Sequence, residues 1–329
     1  MPTILVTGGA GYIGSHVVKE LLYQNHKPIV YDNLQTGHRK AITNAPFIEG
    51  DLSDQKKLAE AFQTNPIDAV IHFAADCLVG ESVQNPVKYF NNNVRNSLKL
   101  IEIMEKFNVR NIVFSSSAAV YGEPKLIPIP EEHHCAPTNP YGETKWIIER
   151  VLQDFHQRGK LNFISLRYFN AGGADPEGEL GEDHTPETHL IPIVIKAGLE
   201  GTSVPVFGSD YDTDDGTCIR DYIHVSDLAQ AHILALRKLE EGKTGVYNLG
   251  TGNGYSVREV IETVKKVTGK KVAVIDSPRR PGDPARLVAS SEKAKEELGW
   301  IPRYPDLETI VKTAYYWQRK HPKGYDDRS

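Results

Sequence analysis

The sequence predicts an α/β fold, a doubly wound parallel sheet joined to a second, smaller α/β domain. Short apolar runs alternate with segments whose apolar residues recur at helical spacing, which is the pattern of parallel strands connected by helices. The 329 residues also exceed the length at which one hydrophobic core usually stops growing. We expect a first domain over residues 1–169, to which the chain returns near 220–251, and a second domain over residues 170–329.

The predicted elements of the first domain follow in chain order. The apolar run Ile4–Val6 is a strand that stops at glycines, and Ile13, Val17 and Leu21 then share one helical face. We expect further strands at 28–32, 47–51, 69–73, 111–115 and 163–168, and further helices at 58–62, 94–107 and 141–155.

The regular alternation ends at Asn170. Residues 171–188 are rich in glycine, proline and acidic side chains, and loops of this length often border a binding site. Later elements are a helix at 190–200, a strand at 204–208, a polar loop at 209–216, a helix at 225–239, a strand at 246–250, a helix capped by Ser256, and a last helix ending near 321–322.

The composition is that of an ordinary globular protein. A net charge of -5 argues against a nucleic-acid surface, which usually carries a basic excess. The three cysteines, Cys77, Cys135 and Cys218, are widely spaced and fit a reducing compartment. The first strand begins too early for a signal sequence, and no apolar run could span a bilayer. We therefore expect a cytoplasmic protein without membrane or nucleic-acid partners.

One short group of residues, His133, His134 and Cys135, suggests a metal site. These residues lie among prolines, and the fourth ligand that a structural zinc ion needs is not evident. We expect an exposed loop here and no bound metal.

The turn after the first strand has the glycine spacing of a dinucleotide-binding loop. Gly9, Gly11 and Gly14 fit one spacing of this kind, and Gly8, Gly11 and Gly14 fit a wider one. Without side chains, such a turn lets a pyrophosphate approach the helix N-terminus, where unpaired amides and the helix dipole favour negative charge. The expected cofactor contacts here are Gly8, Gly11, Tyr12, Ile13 and Gly14.

Asp32 ends the second strand, where an acid can bond the ribose hydroxyls and repel a 2′-phosphate. This position favours NAD over NADP as the cofactor. A helix cap or a turn is the alternative explanation for Asp32 and Asn33. Two later strand ends can also approach the cofactor, so the expected contacts include Asp32, Asn33, Asp51, Leu52, Phe73, Ala74 and Ala75.

Ser117, Tyr141 and Lys145 are the candidate catalytic residues. Tyr141 and Lys145 are four positions apart, so their side chains share one face of a helix. Lowering the pKa of a phenol by about three units takes about 4 kcal/mol, which Lys145 and a cationic nicotinamide could supply. Ser117 can hydrogen-bond the same substrate oxygen. Alternatively, Ser115, Ser116 and Ser117 only end a strand, and Tyr141 only packs at the start of a helix. Together with the glycine turn, the three residues favour alcohol oxidation by a nicotinamide.

Ordered blocks along nearly the whole chain resemble the nucleotide-sugar 4-epimerases of the extended short-chain dehydrogenase/reductase family. The blocks are 7–16, 72–75, 79–82, 91–94, 114–122, 141–145, 167–170 and 220–225. The resemblance implies a Rossmann-like fold, NAD retained through the cycle, and interconversion of UDP-galactose and UDP-glucose through a 4-keto intermediate. It also implies a homodimer through helices 94–107 and 145–155, whose apolar faces could equally be buried within one chain.

The same resemblance implies further contacts. For the cofactor these are Asn92, Ser115, Tyr141, Lys145 and Tyr168. For the substrate they are Ser117, Tyr141, Asn170, His189, Leu190, Phe207, Arg220, Arg280, Asp283 and Leu287. An arginine suits a pyrophosphate because its planar fork donates paired bonds, although Arg279 and Arg280 could also be a solvated basic pair.

Four positions bear on the reaction and the substrate. Ala119 stands where relatives that dehydrate or decarboxylate carry an acid, which favours plain epimerisation. Three positions differ from the best-known epimerase pattern. Cys77 stands where a lysine is frequent, and His189 stands where an asparagine is frequent. Leu287 stands where a larger tyrosine can narrow the sugar pocket. The alternative functions are an epimerase for UDP-N-acetylhexosamine, UDP-glucuronate or a UDP-pentose, a net dehydrogenase, and an NAD-binding sensor.

Overall fold

The computed structural model describes residues 1–280 and 282–327 of the chain. The strands are β1 Thr3–Thr7, β2 Lys27–Asp32, β3 Phe47–Glu49, β4 Ala69–His72, β5 Asn111–Ser115, β6 Asn162–Tyr168, β7 Asn170–Gly172, β8 Ser203–Phe207, β9 Ile219–His224, β10 Gly245–Leu249, β11 Gly254–Ser256, β12 Ala273–Ser277 and β13 Arg286–Leu287. The helices are α1 Tyr12–Tyr23, α2 Gln55–Thr64, α3 Val79–Gln84, α4 Pro86–Tyr89, α5 Asn96–Lys106, α6 Pro140–Gln157, α7 Leu190–Glu200, α8 Val225–Glu240, α9 Val257–Thr268 and α10 Leu307–Lys320.

Seven parallel strands form the central sheet, in the order β10-β6-β5-β4-β1-β2-β3. β1 lies between β2 and β4, with Ile4 opposite Pro28 on one side and Ala69 on the other. The strand order therefore reverses at β1, and in open sheets of this kind ligands bind outside the carboxyl ends of the strands at such a point. The predicted doubly wound parallel sheet is confirmed.

Helices cover both faces of this sheet. Val17 of α1 and Leu228 of α8 pack on one face, and Leu58 of α2 and Leu152 of α6 pack on the other. All four side chains are fully buried, and burying each stabilises the fold by roughly 1.5–3 kcal/mol. Burial on both faces explains why the strands are continuous apolar runs in the sequence.

A smaller lobe is built around β9. This strand pairs in parallel with β7, where Asn170 lies opposite Tyr222, and also pairs with β11 and β13. β8 and β12 form a separate parallel pair, and α7, α9 and α10 pack around a second core that includes Val194, Ile261 and Ile310. Ser256 caps α9 as predicted, since its Oγ accepts a hydrogen bond from Glu259 N at 3.1 Å.

The structure differs from the sequence-based expectation in several elements. Strands β7, β9 and β11–β13 were not expected. β7, β11 and β13 have only two or three residues, β12 is mostly exposed, and β9 carries polar residues such as Arg220 and Asp221. The helix expected at 94–107 is preceded by a π-helical stretch, Phe90–Arg95, and α5 proper begins at Asn96. β10 lies in the central sheet beside β6, while the proposed domain division at 169/170 stays a prediction. None of the helices in residues 1–280 and 282–327 combines the length and apolar character needed to cross a bilayer.

Candidate active site

A cavity of about 430 Å³ lies at the carboxyl ends of the central strands. It brings together every predicted cofactor contact and all three candidate catalytic residues. Of the predicted substrate contacts, it is lined by Ser117, Tyr141, Asn170, His189, Arg220, Asp283 and Leu287. Residues separated by more than 250 positions in the chain thus share one concave surface, as small-molecule sites usually require.

The glycine turn leaves a cradle beside the start of α1. A Cβ added at Gly14 would lie 2.2 Å from the Gly8 carbonyl oxygen, and one at Gly8, where φ is +75°, would lie 2.6 Å from Ala74 N. No side chain caps α1 at Gly11, so its first-turn amides remain available to a ligand. The glycines therefore fit a pyrophosphate bound at a helix N-terminus.

Asp32 closes β2 at the border of the cavity. Its carboxylate accepts hydrogen bonds from Ala10 N at 3.0 Å and Leu34 N at 2.8 Å, and burial raises its pKa. The bond to Leu34 forms the turn that was the alternative explanation for this residue, so Asp32 shapes the turn and also lines the cavity. Beside it, Asn33 Nδ2 donates to Asp51 Oδ2 at 2.7 Å.

Ser117 lies two residues after the end of β5, and Tyr141 and Lys145 lie in the first two turns of α6. Asn139 caps α6, since its Oδ1 accepts a hydrogen bond from Gly142 N at 2.9 Å, and the cap places Tyr141 in the first helical turn. Lys145, one turn later, donates from Nζ to the Ser115 carbonyl at 2.8 Å. Its Nζ lies 5.8 Å from the centre of the Tyr141 ring. The predicted face shared by Tyr141 and Lys145 is therefore present.

Burial dominates the electrostatics of these groups. It lowers the pKa of Lys145 to about 8 and raises the pKa of the Tyr141 phenol, which a hydrogen bond with Ser117 partly offsets. Low dielectric disfavours the charged form of each group. The phenol therefore needs additional positive charge before it can serve as a base near neutral pH.

Arg220 and Asp283 form the polar end of the cavity. The Arg220 guanidinium pairs with the Asp283 carboxylate and also donates to the Ile219 carbonyl at 2.8 Å. Three predicted substrate contacts, Leu190, Phe207 and Arg280, are not among the residues that line the cavity. Arg280 instead is exposed and lies over the Phe207 ring, 4.0 Å from its centre, away from the cavity wall.

Comparisons with known proteins agree with this arrangement. The model of the NAD dependent epimerase/dehydratase family matches residues 4–250. The chain belongs to this family. Family members named UDP-glucose 4-epimerase are similar over almost the full length. The enzyme of Halalkalibacterium halodurans is 54% identical, over 98% of this chain and 97% of the relative. That of Lacticaseibacillus casei is 48% identical, over 99% of this chain and 100% of the relative.

A solved epimerase structure has the same fold. UDP-glucose 4-epimerase from Brucella ovis in complex with NAD is 48% identical and gives a TM-score of 0.93. The match covers 96% of this chain and 98% of that one. Such agreement over both lobes means that this member of the epimerase family has the second lobe as well as the dinucleotide-binding sheet.

Sequence reasoning missed several residues at the cavity of this epimerase-family chain. Gln35 follows the Asp32 turn, and Asp76 follows Ala75, so proximity to predicted contacts was the available signal. His184 lies in the long loop that was expected to border a site.

His133, in the proline-rich loop that was considered as a metal site, has a local structural role, since its Nε2 accepts a hydrogen bond from Lys125 N at 3.0 Å.

Proposed function

We propose that this chain is a UDP-hexose 4-epimerase, which interconverts UDP-galactose and UDP-glucose with NAD as cofactor. The observation that carries the proposal is the convergence of Ser117, Tyr141 and Lys145 with the glycine turn in one cavity. The near full-length similarity to enzymes named UDP-glucose 4-epimerase supports the substrate, and the Brucella ovis complex supports the cofactor.

The part of the cavity beside the glycine turn fits NAD. The glycine cradle and the start of α1 would hold the pyrophosphate, and Asp32 would bond the adenosine ribose. Phe73, Ala74 and Tyr168 line the cavity farther along the sheet edge. When bound, NAD supplies a cationic ring that accepts the hydrogen of sugar C4 as hydride and returns it to the opposite face of the 4-keto sugar.

Tyr141 acts as the base in this proposal. Its phenolate takes the proton of the sugar 4-hydroxyl and later returns it to the ketone oxygen. Because the hydride is also returned to C4, the overall reaction has no net redox change. Lys145 stabilises the phenolate through its ammonium charge, and its bond to the Ser115 carbonyl fixes that charge near the ring. Ser117 hydrogen-bonds the same substrate oxygen and so holds it in position for proton transfer to Tyr141.

The nucleotide end of the substrate is anchored while the sugar turns. Arg220, Asn170 and His189 line the cavity on the side of the smaller lobe and are the proposed contacts to the UDP group. Inversion at C4 requires that the ketone present its second face to the same cofactor. An anchored diphosphate with a mobile sugar meets that requirement. Roles for Leu190, Phe207 and Arg280 stay predictions.

The decisive assay uses protein purified without added NAD. We expect UDP-galactose to be converted to UDP-glucose, with separated products and no steady release of NADH. A net dehydrogenase would instead release NADH, and a sensor would leave the sugar unchanged. The reaction is also run in deuterium oxide, because a transfer sheltered from water leaves no deuterium at C4. Product carrying solvent deuterium at C4 would contradict hydride return.

A second candidate activity is the epimerisation of UDP-N-acetylhexosamines. Leu287 lines the cavity, and a leucine leaves more room than the tyrosine that can stand there. Turnover of UDP-glucose with none detectable for UDP-N-acetylglucosamine would refute this activity. UDP-glucuronate and UDP-pentoses are tested in the same panel.

The assembly and location are also part of the proposal. We expect a homodimer, although the structure buries Leu100 and Met104 of α5 and Leu152 of α6 within the chain's own core. Size-exclusion chromatography with light scattering measures the mass directly. The three free cysteines, Cys77, Cys135 and Cys218, fit a reducing cytoplasm.

A further inference from the structure

Four side chains of the types that can bind metals lie together at the rim of the cavity. Glu182, His184, Glu187 and His189 come from the end of the loop between β7 and α7, and their ligand atoms all lie within 4.8 Å of one another. His184 and His189 also line the cavity. The proposed epimerase reaction uses His189 as a contact to the UDP group but gives no role to Glu182, His184 or Glu187. We call it the rim cluster.

The spacing of the rim cluster fits ligands around one ion. His189 Nδ1 lies 2.6 Å from Glu182 Oε1 and 3.2 Å from Glu187 Oε1. His184 Nδ1 lies 3.2 Å from Glu182 Oε1 and 3.6 Å from Glu187 Oε2. Atoms bound about 2.1 Å from a single metal are separated by about 3.0–3.4 Å in octahedral or tetrahedral geometry. Small side-chain shifts would therefore place all four atoms at ligand distance from one point.

Hydrogen bonding within the rim cluster is incomplete. Of the four approaches, only that of His189 Nδ1 to Glu187 Oε1 has the geometry of a hydrogen bond. Glu182 Oε1 and His184 Nδ1 are buried, and their contacts to other atoms of the rim cluster, at 2.6–3.6 Å, lack the angles of hydrogen bonds. Glu182 is only 9% exposed. A buried polar atom without a well-directed hydrogen bond is destabilising. A cation at the centre would satisfy both atoms at once.

Within the described residues, no lysine or arginine forms an ion pair with the rim cluster. Among residues 1–280 and 282–327, the ion pairs of Glu182 and Glu187 are with these two histidines alone. A second acidic group offers a contrast. Asp175, Glu177 and Glu179 surround Lys19 Nζ at 3.0–3.1 Å, so an ammonium already occupies the position that a metal would take.

We propose that Glu182, His184, Glu187 and His189 bind one divalent transition-metal ion at the rim of the cavity. Mixed imidazole and carboxylate ligands suit Zn²⁺, Co²⁺, Mn²⁺ or Fe²⁺, whereas Mg²⁺ and Ca²⁺ prefer oxygen ligands. The ion ties the loop after β7 to the start of α7. The proposal rests on the geometry of these four side chains and does not depend on the epimerase reaction.

The test measures metal binding by the full chain with its NAD retained. Protein treated with chelator and then freed of it is titrated with Zn²⁺ by calorimetry and with Co²⁺ by visible absorption. We expect one ion per chain, no comparable binding of Mg²⁺, and binding weaker by about 100-fold or more in His184→Asn and His189→Asn. The matched control is the double variant His133→Asn/His134→Asn, which removes two imidazoles from a separate loop and should bind Zn²⁺ like the parent.

Equal Zn²⁺ affinity in the parent and the His184→Asn variant would overturn the proposal, as would loss of binding in the control. Circular dichroism and retained NAD show whether each variant folds. A second measurement needs no variant: imidazole nitrogen NMR spectra of the parent should show Zn²⁺ changing two of the 12 histidines first. Unchanged imidazole spectra would mean that protons, rather than a metal, hold the rim cluster together. Epimerase turnover is assayed in parallel. Loss of turnover while metal binding stays intact would contradict only the proposed function.

Discussion

Arg167 of β6 forms a buried ion pair with Glu149 of α6, the catalytic helix that carries Tyr141 and Lys145. Arg167 Nε donates to Glu149 Oε1 at 2.9 Å and to Oε2 at 3.2 Å, and the two side chains are 4% and 2% exposed. Ser116 Oγ also donates to Glu149 Oε1. Because Glu149 lies one turn after Lys145, this pair joins β6, the end of β5 and the helix that carries Tyr141.

Removing one partner of this pair should be strongly destabilising. We expect Glu149→Ala to lower the free energy of unfolding by about 3–5 kcal/mol, because it leaves the Arg167 charge buried and unpaired. The double variant Glu149→Met/Arg167→Met should recover much of that loss. Urea unfolding at fixed NAD concentration measures both. A loss in Glu149→Ala no larger than that of an exposed pair, such as Asp154→Ala beside Arg158, would contradict the buried-charge argument.

Lys145 should make the stability of the NAD-free protein depend on pH. Burial lowers its pKa from 10.5 to about 8, so between these values the folded state holds fewer protons than the unfolded state. The free energy of unfolding should then rise with pH across this window, by about 3 kcal/mol for this group. The cost of burying the ammonium is present in full below about pH 8. Lys145→Met should flatten the rise. Parallel curves for the parent and this variant between pH 7.5 and 10.5, obtained by urea unfolding, would refute the assignment.

A side chain at Gly14 should abolish the cofactor site. In Gly14→Ala the Cβ would lie 2.2 Å from the Gly8 carbonyl oxygen, which is backbone and cannot move aside without opening the turn. We expect purified Gly14→Ala to contain little NAD. The matched control is Gly80→Ala, where the added Cβ has nothing within 4 Å. NAD extracted from each protein is measured by enzymatic cycling, and equal content in both variants would count against the cradle.

Tyr141→Phe should separate chemistry from binding. Loss of the phenol oxygen removes the base, so we expect turnover of UDP-galactose to fall by about 10²–10⁴-fold while the bound NAD and the melting temperature stay close to the parent's. Tyr316→Phe, at a side chain that is 50% exposed, is the control and should retain full turnover. Unchanged turnover in Tyr141→Phe would exclude Tyr141 as the base.

Local patterns made the dinucleotide-binding half of the site predictable. The glycine turn, Asp32 at a strand end and the four-residue spacing of Tyr141 and Lys145 all depend on neighbours in the chain. Strand ends of a parallel sheet meet at one edge, so alternation of strands and helices was enough to bring these motifs together. The buried strands could also be predicted from the sequence, because a strand buried on both faces is a continuous apolar run.

The rest was decided by tertiary structure. Nothing in the spacing of Glu182, His184, Glu187 and His189 shows that their ligand atoms share one point, since a loop has no fixed periodicity. Likewise β9 is a polar strand whose existence depends on pairing with β7, which lies some fifty residues earlier. The sequence by itself determined the sheet, the cofactor turn and the catalytic helix, because these follow from local periodicity and capping. Only the tertiary structure decided which loop side chains meet at the rim, because those contacts depend on how distant segments pack.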